Sequence, residues 1–61
     1  MRKRYECKLE TEGYRLNVTV FAENESTVER LALRRAAELF RQTFGKEKKT
    51  SDFVVVSVKE K

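Results

Sequence analysis

Arg30, Arg34 and Arg41 have the plainest chemical capacity in this sequence. On a helix, at about 100° per residue, they project within one narrow arc, with Arg35 further round. A ridge of guanidinium groups neutralises phosphates and can fork onto base edges. Glu38 supplies a competing account. It stands three or four residues from Arg34, Arg35 and Arg41, and such ion pairs are what an ordinary solvated helix face carries.

A second group lies on strands. Phe21, Phe53 and Val55 fall on one phase of their segments and share it with Arg4, Lys8, Arg15, Asn17 and Thr19. Aromatic rings interleaved with cations on an open sheet are the parts that stack and clamp a single nucleic-acid strand. The same patch suits a protein interface, in a homodimer or against a larger target. Phe21 and Phe53 folding over the sheet rim is the third account. The basic ends form a weaker group: Arg2, Lys3, Arg4, Lys59 and Lys61 at one pole, and Lys46, Lys48 and Lys49 at the other. Glu10, Glu12, Glu23 and Glu25 dilute them, so solvated termini and loops account for them.

Catalysis is argued against by what is missing. There is no histidine, the commonest general base near neutral pH. Ser26 and Ser57 have no recognisable base, and Gly13 and Gly45 are too isolated for a phosphate loop. Cys7, the only cysteine, falls on the inward phase of its strand, where it packs as a small hydrophobe. A single cysteine permits no internal disulfide, and no Cys/His spacing for a metal exists. The expectation is a chain that is not an enzyme, with no cofactor, no metal and no small-molecule substrate.

These groups must be positioned by one small domain, residues 1–61. A chain this short buries only about 60% of the surface its unfolded form exposes, so self-association is a natural aid to its thin core. Charged residues make up 39% of the sequence, with formal net charge +4. That excess permits nucleic acid, an anionic surface or an acidic protein as partner and selects none of them. No apolar run reaches the ~20 residues of a membrane span. The basic start, Met1–Arg4, is followed by alternation and not by the apolar stretch of a signal peptide. A cytoplasmic protein is expected.

Alternation of Tyr5, Cys7 and Leu9 with charged residues predicts a strand over about 3–10. Thr11-Glu12-Gly13 is a hairpin connection, and Tyr14, Leu16, Val18, Val20 and Ala22 predict a second strand over about 14–22. Ser26 to Glu29 fits a capping box, with Asn24 as a rival cap, and opens a helix over about 26–44 that Gly45 ends. Val28, Ala32, Leu33, Ala36, Leu39, Phe40 and Phe44 form its apolar arc. Residues 46–51 read as a solvated loop, and Phe53-Val54-Val55-Val56-Ser57-Val58 predicts a last strand over about 52–59.

The expected class is α+β: a single ββαβ domain whose three-stranded, mostly antiparallel sheet carries the helix on one face. The helix returns the chain to the hairpin end, so the last strand runs parallel to the second. Order 2-1-3 resembles a β-grasp core lacking one strand and is preferred over 1-2-3, which would leave a parallel pair at the edge. The element order excludes a ribbon-helix-helix protein and departs from a double-stranded-RNA-binding domain. The function expected is non-catalytic binding. Nucleic acid leads, through the basic helix ridge or the sheet face, with a protein-interaction module as the alternative, using Phe21, Phe53 and Val55 or an open strand edge.

Overall fold

A computed structural model describes residues 2–61. Met1, the first residue of the expected domain, lies outside the described residues. Strand β1 spans Lys3–Thr11, β2 spans Tyr14–Ala22, helix α1 spans Val28–Phe44 and β3 spans Val54–Glu60. Short 3-10 turns over Glu25–Thr27 and Thr50–Asp52 lead into α1 and β3. The sheet order is β2-β1-β3 and both pairings are antiparallel. Order 2-1-3 is therefore the one adopted, with β1 in the centre.

The hairpin closes on the Thr11–Tyr14 pair. Its loop residues, Glu12 and Gly13, have φ of 45° and 84°. Two successive positive φ values are what a two-residue I′ loop needs to match the strand twist. At the other end of the domain, Gly45 takes φ 69° and its N–H donates to the Arg41 carbonyl at 2.8 Å. A left-handed residue there closes the last turn and is cheapest as glycine.

The N-terminus of α1 departs from the expected capping box. Neither Asn24 nor Thr27 accepts a backbone N–H with its side chain. Instead, the Ser26 hydroxyl donates to the Asn24 side chain and the Thr27 hydroxyl donates to the Asn24 carbonyl. The 3-10 turn displaces the helix start from Ser26 to Val28, so the Ser26–Glu29 spacing no longer spans a first helical turn.

One layer of core lies between sheet and helix. Tyr5, Cys7 and Leu9 of the central strand, with Val18, Val20 and Ala22 of β2, meet Val28, Ala32, Ala36 and Phe40 of α1. Alanine at 32 and 36 lets the helix axis approach the sheet closely. Phe40 anchors the far end, with its ring 5.5 Å from Tyr14, 4.6 Å from Phe44 and 6.0 Å from Phe53. Leu33 and Leu39 are only half-buried and Phe44 is exposed, so the apolar arc is narrower than its composition suggests. Among the described residues, no helix is long and apolar enough to cross a membrane.

β3 carries the irregularity that matters most for the surface. Lys8 faces Ser57 but Leu9 faces Val55, so Val56 is an extra residue opposite β1. A bulge of this kind inverts the alternation on one side of itself. Val58 points to the helix as its phase predicts. Upstream of the bulge, Val55 and Phe53 also face the helix and Val54 faces the open side.

Candidate binding face

The open side of the sheet presents Arg4, Glu6, Lys8 and Glu10 from β1 and Arg15, Asn17, Thr19 and Phe21 from β2. Cross-strand pairing sets Arg4 beside Phe21, Glu6 beside Thr19, Lys8 beside Asn17 and Glu10 beside Arg15. β3 adds Lys59 beside Glu6, Ser57 beside Lys8 and Val54 beside Glu10. The face thus holds five cations (Arg4, Lys8, Arg15, Lys59 and Lys61) against the carboxylates of Glu6 and Glu10. One cation is engaged: Lys61 lies 2.9 Å from Glu6. That hydrogen bond and the attached charge hold the Glu6 carboxyl below the usual carboxylate value, with Arg4 and Lys59 adding to the effect.

Two adjoining depressions of about 560 and 420 Å³ run along this face and share Lys8 and Asn17. Lys59 and Lys61 border the first, and Arg15 and Val56 the second. Lys8, on the central strand, therefore stands in the middle of a shallow trough with cations at both ends. Val56, 54% exposed, lines it, while the exposed side chains of Val54, beside Glu10, and Phe21, beside Arg4, lie toward its two opposite ends.

The expected interaction surface of Phe21, Phe53 and Val55 is corrected by this geometry. Phe21 is on the open face. Phe53 is 6% exposed and packs edge-on against Phe40, and Val55 is half-buried against the core. Phe53 precedes β3, and the bulge reverses the phase of Val55, so both belong to the helix side. Val54 and Val56 take their place on the open side. The unbroken apolar run 53–56 contains no alternation, so no residue in it reveals which face it meets.

The six expected cationic residues do not form one site. Arg4, Lys8 and Arg15 share the open sheet face. Arg30, Arg34 and Arg41 stand on the exposed side of α1, beyond the core layer. In a body of 34 × 17 × 17 Å these are opposite surfaces. Glu38 pairs with Arg35 at 2.9 Å, and among the described residues Arg30, Arg34 and Arg41 form no ion pair. The ridge is thus three free guanidinium groups over about 16 Å of helix, at ~1.5 Å rise per residue. Its exposed aromatic neighbour is Phe44, three residues from Arg41, whose ring packs against Tyr14 and Phe40. A further cleft of about 480 Å³ between α1 and the following loop mixes Arg41, Lys48 and Lys49 with Glu38, Glu47 and Asp52. Its charges balance.

Cys7 is enclosed in the core at 1% exposure, and burial, reinforced by the Glu29 carboxylate, pushes its thiol above the ordinary value. A protonated, enclosed thiol is a packing group. Among the described residues, no group of His, Cys, Asp or Glu could hold a metal ion. Comparison with protein-family models, curated proteins and solved structures finds no match to this chain. The reading of the face rests on its own residues.

Proposed function

We propose that this domain binds single-stranded nucleic acid without catalysis, across the open face of its sheet. The observation that carries the reading is a cation-lined trough centred on Lys8, with exposed Val56 in its wall and exposed Phe21 and Val54 toward its two ends. Charge alone would serve solubility. Exposing a phenylalanine and two valines beside that charge costs solubility, and gives flat apolar area on which bases stack while Lys8, Arg15 and Lys59 meet phosphates. A sheet only three strands wide offers no groove deep enough for a folded ligand, whereas an extended strand can lie along it. The free ridge of Arg30, Arg34 and Arg41 has the charge, but the one exposed aromatic beside it, Phe44, is packed against Tyr14 and Phe40, which suits weaker, sequence-independent phosphate contact. A cytoplasmic setting fits a chain whose one thiol stays reduced in its core.

The test is an amide NMR titration with a single-stranded oligonucleotide and with a duplex of the same sequence. Shifts at Arg4, Lys8, Arg15–Phe21 and Val54–Lys59 with the single strand, fading as salt rises, are expected. Shifts confined to Arg30–Arg41 would move the function to the helix, and an unmoved spectrum with both ligands would end the nucleic-acid reading.

A further inference from the structure

Among the described residues, the outer edge of β3 has no strand beside it. Lys61 donates its N–H to the Arg4 carbonyl at 2.8 Å. By alternation, Lys59 and Ser57 also turn their amides toward β1, while Glu60, Val58 and Val55 turn theirs outward. β2 is the other edge, but α1 leans on it more than on β3, and its helix-side residues Val18, Val20 and Ala22 are already buried. Val55 and Val58 are left half-buried. The β3 edge has no proline, and its lysine comes only near the end. Two common guards against edge pairing are thus absent along its centre.

We infer that two copies of this chain pair antiparallel through β3, with Val55 of each facing Val58 of the other, joining the two sheets into one. This register is selected by the bulge. It sets helix-side Val55 against helix-side Val58, open-face Val54 against Lys59, open-face Val56 against Ser57, and Phe53 against Glu60. A slip of one residue either way sets Val55 against Ser57 or Lys59, which point to the opposite face, so the alternation fails on both strands at once. In this register the outward-turned amides of Val55 and Val58 face one another, whereas a shift that sets Val58 against Glu60 leaves Val55 out of the pairing. The four valines Val55 and Val58 close over one another on the helix side, completing the burial that each chain alone leaves half done. The open faces of both copies become one continuous platform, with the two troughs side by side. The pairing does not depend on nucleic acid and is tested without it.

Sedimentation equilibrium from micromolar to millimolar concentration should show the mass rising from one chain to two. Val54 is exposed in the single chain, so its substitution leaves the fold intact, as a thermal melt at micromolar concentration verifies. Val54→Glu brings a carboxylate to Lys59 of the second copy at two symmetric places and should tighten the dimer. Val54→Lys should weaken it, with the two dissociation constants differing by about tenfold or more. In a mixture of isotope-labelled and unlabelled chains, cross-chain contacts between Val55 and Val58 should appear. A mass of one chain at millimolar concentration would overturn the inference. So would a dimer indifferent to the charge at position 54, since its contact would lie elsewhere.

Discussion

The salt dependence of binding follows from the cations on the open sheet face. Lys61 is committed to Glu6, which leaves Arg4, Lys8, Arg15 and Lys59 free to meet phosphates. Each phosphate neutralised on a single strand contributes about −0.7 to the slope of log K against log salt, so four give about −2.8. Raising salt about fourfold, from roughly 50 to 200 mM, is ~0.6 logarithmic units and should cost about 50-fold in affinity. Fluorescence anisotropy of a labelled oligonucleotide measures this directly. Lys8→Ala, in the middle of the trough, should flatten the slope to about −2.1. Phe21→Ala should lower affinity by about 1–3 kcal/mol while leaving the slope unchanged, because it removes stacking and no charge. Arg30→Ala, on the opposite surface, should change both far less than Lys8→Ala does. A slope shallower than about −1, or one flattened by Arg30→Ala and not by Lys8→Ala, would refute the assignment of phosphate contacts to this face.

Three further outcomes concern the fold that holds the face in place. Phe53→Ala should lower unfolding free energy by about 3 kcal/mol or more, since it empties the space beside Phe40, whereas Phe21→Ala should barely alter it; urea denaturation of the two variants checks the contrast. The Thr11 hydroxyl is buried without a partner, so Thr11→Val should leave stability unchanged or raise it by about 1 kcal/mol, and a loss of that size would mean the hydroxyl is bonded in solution. Burial raises the Cys7 thiol above its value in the unfolded chain, so the unfolded chain loses its proton first. Stability from the neutral thiol is therefore complete below about pH 8.5 and falls above it, by at most ~1.4 kcal/mol per pH unit. Cys7→Val should remove that part of the alkaline slope, and identical slopes in the two proteins would show that the thiol does not carry it.

The hairpin and the helix were legible because each has a single partner layer. Tyr5, Cys7 and Leu9 alternate with charges since one face of β1 is buried and the other is wet, and the same holds for Leu16, Val18, Val20 and Ala22. Gly13 and Gly45 mark two of the three positions where the chain takes positive φ, the third being Glu12 beside Gly13. α1 starts two residues later than its capping pattern predicts because Ser26 and Thr27 bond back to Asn24 instead of forward to helical amides. That choice between local partners is not written in their spacing.

What the sequence by itself determined is the order of elements, the inward phase of β1 and β2, and the presence of Arg4, Lys8, Arg15 and Phe21 together on one face. These depend on periodicity and turn chemistry, which are local. The tertiary structure alone decided the place of β3 beside β1, the bulge at Val56, and with it the exchange of Phe53 and Val55 for Val54 and Val56 on the open side. It alone also separated Arg30, Arg34 and Arg41 from the sheet cations. A run of four apolar residues, Phe53 to Val56, satisfies either phase equally well. Its facing is settled by which arrangement fills the space beside Phe40, and that space exists only once helix and hairpin have packed.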